Sequence, residues 1–423
     1  MTAFLLVALV LLLLLLRQPL VVILLAVAAY VQIAWGRGQL DYILEDMWVA
    51  LDKELILSIP LFILCGNVMT QGSTAKRLIR IMAAITQPLP GGLALAAVLS
   101  CGIFAAISGS SIVTMLAIGT VMYPAMRAAN YSNSYTLGTI MSGGTLGIII
   151  PPSIPMIIYG LVTEASVVDL FLAGIGPGIL ILIVFSVYGL WVNRKMPARP
   201  FDAAEFTTAC REGVWAAMLP VILLGGIYSG YFTATEAAAV ALLYALVIEV
   251  WVHKELKLRD FYRVVLEQSK LGGSLFPVLA VALSLNIVLV EHRVPGQMVE
   301  FMQGFISSPL MFMLLVNVLL LIVGCLMTTG EAILILAPLL MPVAEAYGFN
   351  KVVFGIIMIL NLEIGFLTPP VGLNLIVAMS AFKQPFGLLV RSALPYIVLM
   401  LGCLAVVVWQ PWIAMYLVNG QFP

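Results

Sequence analysis

Charge is what this chain has least of. Asp, Glu, Lys and Arg make up 9% of its 423 residues, whereas 63% are hydrophobic, and the mean hydropathy is +1.14. No soluble fold keeps so many apolar groups with so few charges, so the composition excludes a water-soluble domain and indicates a helical integral membrane protein. The apolar runs do not alternate in polarity, which excludes a barrel. The 20 basic and 20 acidic residues cancel, so bulk charge suggests no nucleic-acid partner. Cysteine is scarce and scattered, at positions 65, 101, 210, 325 and 403. That spacing holds no redox or metal pair and argues against a disulfide framework. The two histidines, His253 and His292, fall at opposite ends of the membrane layout and share no metal. H-E-x-x-H, P-loop and G-x-S-x-G motifs are missing, which argues against an ATP-driven pump in this chain alone. The first apolar run, residues 3–16, has no positive segment before it, so it reads as a retained span and not a cleaved signal.

What the chain does have is a motif that occurs twice. Residues 144–153 read GTLGIIIPPS and residues 362–371 read LEIGFLTPPV. Gly147, Pro151 and Pro152 match Gly365, Pro369 and Pro370 at one offset of 218 positions, and Pro124/Pro342 and Tyr131/Phe349 keep it. A double proline inside a long apolar segment breaks a helix within the membrane. Paired Gly/Pro-interrupted segments in two halves are the best sequence pointer to the binding site of a secondary transporter.

Apolar runs predict spans near 3–16, 19–35, 54–70, 134–162, 168–192, 214–231, 234–252, 273–291, 352–380 and 388–416. Two further regions, 91–126 and 305–344, carry polar centres at Ser108–Ser111 and Thr328–Gly330. Their second arms, 112–124 and 331–344, reach only about 20 Å at 1.5 Å per residue, so both regions are predicted to be re-entrant helical hairpins with tips near mid-membrane. With the N-terminus outside and each hairpin returning to its own side, sixteen of the 20 Lys and Arg residues fall inside. The first hairpin then opens inward and the second outward, an inverted repeat. Residues 39–52 and 255–271 are amphipathic and are predicted to lie in the interface as connecting arms.

Each tip joins a helix end to a helix start. The ending helix offers free carbonyls, suited to a cation. The starting helix offers free N–H groups and a hydroxyl, suited to an anion. The first ion site is therefore assigned to Ser108, Ser110, Gly144, Gly147 and Pro151, and the second to Thr328, Thr329, Gly330, Gly365, Thr368 and Pro369. Substrate is placed between the tips, with Ser110, Ser111, Ser153, Arg293, Glu331 and Asn374 as contacts. Ser153 reads either as a helix cap or as a carboxylate ligand. Glu331 reads either as a first-turn carboxylate or as part of the site. Arg293 reads either as a guide for an anion or as an interfacial arginine. Glu363 precedes the second break and is a candidate to pair or to bind a proton. Glu236 reads as a first-turn carboxylate capped by Thr233 or Thr235.

The segments IPLFILCGNVM (59–69), SGSSIVT (108–114), GGTLGIIIPPSIPMIIYG (143–160), GGIYSGYFTATEAAAV (225–240) and NLEIGFLTPPVGLNL (361–375) together resemble the large membrane subunit of TRAP (tripartite ATP-independent periplasmic) transporters. The resemblance spans nearly the whole chain. It implies an all-α polytopic fold of the ion-transporter superfamily, with about ten transmembrane helices plus two re-entrant hairpins. It also implies Na⁺-coupled uptake of an organic acid by an elevator motion, in the bacterial inner membrane with both termini periplasmic. The implied partners are a small four-helix membrane subunit and a periplasmic substrate-binding protein. On this reading residues 1–53, 164–271 and 385–423 are scaffold, and 54–163 and 272–384 are the transport halves. A stand-alone Na⁺/dicarboxylate symporter is the nearest alternative. An intramembrane enzyme would need a nucleophile with a base, or paired aspartates, and Asp169 is the sole aspartate near a span.

Overall fold

The computed structural model describes residues 2–35, 38 and 40–418, and every regular element among them is helical. Helices α1 (Thr2–Leu15), α2 (Leu20–Ala34), α3 (Asp41–Leu51), α4 (Glu54–Gln71) and α5 (Thr74–Thr86) lead into a first hairpin, α6 (Gly92–Ser108) and α7 (Ser111–Ala128). The broken pair α8 (Asn133–Ile149) and α9 (Ile154–Thr163) follows, then α10 (Val167–Val192). After a linker come α11 (Ala203–Tyr228), α12 (Ala234–Val247) with a π-helical turn at Ile248–Val252, α13 (Leu258–Glu291) and α14 (Val294–Phe305). A second hairpin, α15 (Pro309–Leu326) and α16 (Thr329–Ala346), precedes the broken pair α17 (Lys351–Phe366) and α18 (Leu373–Phe382), then α19 (Phe386–Trp409) and α20 (Trp412–Met415).

The sequence offset is also a structural one. Helices α7 and α16 start at 111 and 329, and α8 and α17 start at 133 and 351. Asn130 and Gly348 close α7 and α16 with positive φ (64° and 88°), so asparagine stands in for glycine in the left-handed region. Ser132 then caps α8 by accepting from Tyr135 N at 3.2 Å, and Asn350 caps α17 by accepting from Val352 N at 2.8 Å. The bonds Pro151–Pro152 and Pro369–Pro370 are both cis.

Each hairpin folds back on itself. The start of α6 (Gly92, Leu93) and the end of α7 (Ala125, Ala128) line one cavity of about 670 Å³, shared with Arg199 of the linker. In the second hairpin Tyr347 Oη donates to Ile306 O at 2.6 Å, and the Phe312 and Tyr347 rings stack at 4.6 Å. The two mouths lie at opposite ends of the molecule. The α8–α9 pair leaves the first mouth, passes the first tip, and ends where Tyr159 Oη donates to Lys351 O at 2.9 Å. The α17–α18 pair runs the other way, from Lys351 to Phe382, whose ring lies 5.2 Å from Tyr123 of α7. This antiparallel crossing makes the repeat inverted.

The halves interlock. Helix α9 packs on α16 of the other half, and α18 packs on α7, the symmetry-related contact. Helices α10 and α19, expected with the scaffold, pack directly on α8. Thr139 and Tyr396 share a 2.6 Å hydrogen bond, and Ser134 and Ser392 one of 2.9 Å. The outer layer repeats the symmetry as well, with α12 on α4 and α2 on α13. Exposed Ile179, Ile183, Val187 and Trp191 form a four-residue-spaced stripe on α10, the pattern of a lipid face.

Two expectations need correction. Helices α7 and α16 each have 18 residues, longer than the 13 and 14 counted in sequence, because both run on through prolines and small residues to the capped mouth. At 1.5 Å per residue each is about 27 Å long, so arm length does not set the hairpins apart from spans. Second, the arm at 255–271 and the span at 273–291 form one continuous helix, α13, of 34 residues. Gly272 and Gly273 do not break it. Among the described residues ten helical stretches are long and apolar enough to cross a membrane, but they include the hairpin arms α7, α15 and α16 and leave out the shorter α2.

Candidate functional site

The first tip forms because Gly109 takes the left-handed conformation (φ 59°), ending α6, while extended Ser110 leads into α7. Ser108 Oγ and Thr114 Oγ1 lie 2.5 Å apart, both fully buried. Ile154 N donates to Gly109 O at 3.3 Å, tying the first break to the tip. A Cβ on Gly147 would stand 2.5 Å from Thr114 Oγ1 and overlap the Ser110 carbonyl, and one on Gly144 would stand 2.7 Å from Met115 Cβ. Only hydrogen at these positions lets α8 lie this close to α7. Pro151 and Pro152 have no N–H, so the Gly147 and Ile148 carbonyls lose their helical donors. Among the described residues no backbone N–H outside the helices replaces them.

The second tip closes differently. Met327 is extended, and Thr328 caps α16: its Oγ1 accepts from Glu331 N at 3.3 Å, and its N donates to Glu331 Oε2 at 3.1 Å. A Cβ on Gly365 would stand 2.6 Å from Gly324 Cα, so α17 and α15 meet backbone to backbone. Gly372 N donates to Cys325 O at 3.1 Å, tying the second break to its tip. Thr368 N donates to Gly365 O at 2.9 Å, so this break supplies a donor that the first one lacks. Pro151, Pro152 and Ser153 are buried, whereas Pro369 and Pro370 are exposed.

One bond joins the two half-sites: Asn374 Nδ2 of α18 donates to Ser111 Oγ at 2.7 Å. Buried polar atoms without a partner include Asn374 Oδ1 at this junction, both carboxyl oxygens of Glu363, Ser153 Oγ at the first break and Thr329 Oγ1 at the second tip. Buried polar atoms are normally satisfied, so each of these exceptions calls for a partner that the protein itself does not supply.

At the first tip Gly144 and Gly147 face Ser110, Ser111 and Thr114, which pairs with Ser108; at the second, Gly365 and Gly372 meet Gly324 and Cys325, just before Thr328. Gly330 lies between the halves, where a Cβ would meet Ile158 Cδ1 of α9 at 3.2 Å. Ser153 makes no cap bond, which leaves its hydroxyl free. Glu331 is engaged in the capping box, as is Glu236 with Thr233. Arg293 is exposed at the turn between α13 and α14. Sequence reasoning passed over Thr114 and Gly324. Thr114 lies one turn after Ser111 on the same helix face, a legible signal. Gly324 carried none. Among the described residues no three His, Cys, Asp or Glu side chains cluster as metal ligands. The donors at the tips are carbonyls and hydroxyls, the set preferred by a hard cation.

An inverted helical repeat with two hairpin tips meeting two broken helices is the architecture of a membrane transporter. The chain belongs to the family described as "Tripartite ATP-independent periplasmic transporter, DctM component", whose model matches residues 7–413. It is 41% identical over 367 residues to the C4-dicarboxylate TRAP transporter large permease protein DctM of Pseudomonas aeruginosa, covering 86% of each chain. It is 38% identical over 388 residues to the isethionate TRAP transporter permease protein DctMQ of Oleidesulfovibrio alaskensis, covering 91% of this chain and 61% of that one. Its fold is similar to that of the YdaH transporter of Alcanivorax borkumensis, with a TM-score of 0.56 and 14% identity over 88% of each chain.

Proposed function

We propose that this chain is the large permease of a TRAP transporter that takes up an organic acid by Na⁺-coupled elevator transport. The observation that carries the reading is the set of unpartnered buried oxygens where tip 1, the first break and α18 converge. On this reading Na⁺ is held at the first site by the Gly147 and Ile148 carbonyls with the Ser108 and Ser110 oxygens. At the second site it is held around Thr328, Thr329, Gly365 and Thr368. The acid binds between the tips, where the N-termini of α7 and α9 favour a carboxylate. Ser111, Ser153 and Asn374 face it.

The interlock of α9 with α16 and of α18 with α7 supports motion of residues 54–163 and 272–384 as one body. Packing of α10 and α19 on α8 extends that body beyond those ranges. Relatives named for a C4-dicarboxylate, isethionate and ectoine support an organic acid as the class of substrate. Family membership favours a tripartite system, with a small membrane subunit and a periplasmic binding protein, over a stand-alone symporter. The setting is the bacterial inner membrane, with both termini periplasmic. The test is uptake by the reconstituted complex from a panel of organic acids, with and without a Na⁺ gradient. Accumulation of one acid only with Na⁺ is expected; Na⁺-independent accumulation would overturn the coupling.

A further inference from the structure

The cavity of about 670 Å³ at the first mouth shares no residue with the two tips. Its walls come from α5, the mouth of the first hairpin and the linker from Met196 to Arg199. Glu205 is the acid in this lining, and it is engaged: Arg80 Nε donates to its Oε1 at 2.7 Å and Arg80 Nη2 to its Oε2 at 3.0 Å. Arg80 Nη1 donates to Glu212 Oε2 at 2.6 Å. Asp202, the acid of the linker, accepts from Ala204 N and Glu205 N at 3.0 Å and so caps α11.

Arg199 is the cation left over. Its backbone N donates to Gln87 O at 3.2 Å, which fixes the residue on the cavity wall. Among the described residues its guanidinium has no acid within 4.0 Å and no hydrogen-bond acceptor. The side-chain amides of Gln87 and Asn130, in the same lining, have no partner there either. A wall with three unengaged donor groups and no unengaged acid suits an anion. A guanidinium binds a phosphate through two parallel hydrogen bonds.

The neighbouring residues set the cavity at headgroup level. The lipid-facing stripe of α10 ends at Trp191, and the Arg194 guanidinium lies 5.5 Å over that ring. Tryptophan and arginine together mark the membrane–water interface, and the chain runs on from them into Met196 and Pro197 of the lining. Much of the remaining wall is short and apolar, with Ala83 and Ala84 on α5, Ala125 and Ala128 on α7, and exposed Leu89 between the two helices. The volume is that of a pocket for a drug-sized molecule, more than an inorganic phosphate fills. A ligand with a phosphate at one end and apolar matter at the other matches both kinds of wall.

We propose that this cavity binds the phosphate headgroup of an anionic phospholipid. Arg199 pairs with the phosphate, the Gln87 and Asn130 amides donate to its other oxygens, and the glycerol end lies along the alanines. One bound lipid then joins the mouth of the first hairpin to the linker between the halves. The site needs only the membrane setting and does not depend on the transport reading.

The test is lipid retention by the purified complex, read by native mass spectrometry. The complex is equilibrated with equal amounts of phosphatidylglycerol and phosphatidylcholine of the same chains. The parent is expected to keep phosphatidylglycerol in preference, because choline offsets the phosphate charge of the other lipid. Arg199→Gln should weaken that retention about tenfold, the loss of one charge-assisted contact, and Arg199→Lys should recover part of it. The Arg199 side chain holds nothing else in the protein, so its replacement spares the fold. Arg259→Gln, at an exposed arginine of α13, should change nothing. Ala128→Phe fills the cavity and keeps every charge, and it should lower retention as well. Equal retention of the two lipids by the parent overturns the proposal. So does an equal loss in Arg199→Gln and Arg259→Gln, or full retention in Ala128→Phe. Inorganic phosphate and glycerol phosphate in excess should displace the lipid poorly. Displacement by either as readily as by phosphatidylglycerol would define a soluble-anion site and overturn the lipid assignment.

Discussion

The Asn374 amide donates to the Ser111 hydroxyl at 2.7 Å, a bond between residues 263 positions apart that joins the second broken helix to the first hairpin tip. Both residues are buried. Ser111→Ala leaves the Asn374 amide without an acceptor in the protein interior. We expect it to lower stability by about 1–2 kcal/mol, the cost of one orphaned buried donor, and to lower uptake at least tenfold. Thermal unfolding of the purified complex and initial uptake rates check both effects. Wild-type uptake in this variant would remove Ser111 from the site.

Gly147 and Gly225 make a matched pair. A methyl on Gly147 meets Thr114 Oγ1 at 2.5 Å and the Ser110 carbonyl, whereas one on Gly225 meets nothing within 4 Å. Gly147→Ala should force tip 1 off the first break, with loss of uptake and a lower unfolding temperature. Gly225→Ala should be neutral or slightly stabilising, because alanine is the better helix former.

The paired mouths predict labelling from opposite sides. Leu89 and Ala129 are exposed at the first mouth, and Ser307 and Ala346 at the second. Single cysteines at Leu89 and Ala129 should react with an impermeant maleimide from one face of the membrane. Cysteines at Ser307 and Ala346 should react from the other. A split between Leu89 and Ala129 would mean that the first hairpin spans the membrane.

His253 follows the π-helical turn, with Nδ1 3.6 Å from Glu249 Oε2. Burial first, and then the Arg77 charge, push its imidazole below the usual value of 6.5, against the opposing pull of Glu249 and Glu255. A depressed folded value means that the neutral ring is favoured in the native state. The stability this contributes is present above about pH 6.5 and is lost as pH falls below it. The unfolding temperature should therefore drop between pH 7.5 and about pH 5.5 by more in the parent than in His253→Gln. Equal drops would show that the ring does not contribute.

Much of this was legible because proline and glycine carry their conformational consequences in their covalent structure. Pro151 and Pro369 remove donors wherever they stand, so both breaks and the offset between them could be read directly. The polar centres at Ser108–Ser111 and Thr328–Gly330 announced the two turns. Arm length was not legible, since α16 passes through Pro338 and Pro342 without ending. The continuity of α13 through Gly272 and Gly273 was hidden for the converse reason, that tertiary packing overrides weak local preference. The contact of Tyr159 with the Lys351 carbonyl depends on how distant segments meet. No local pattern encodes that.

The exchange of α9 and α18 between halves has a consequence for how the protein is made. When a ribosome has delivered α7 to the bilayer, the helix that will cover Ser111 has yet to be translated. The earlier-made hairpin must wait, its serine turn uncovered, until Asn374 emerges. Biogenesis of the centre is thus governed by the late C-terminal segment, and a nascent chain stopped before α18 would hold a hairpin with no seat.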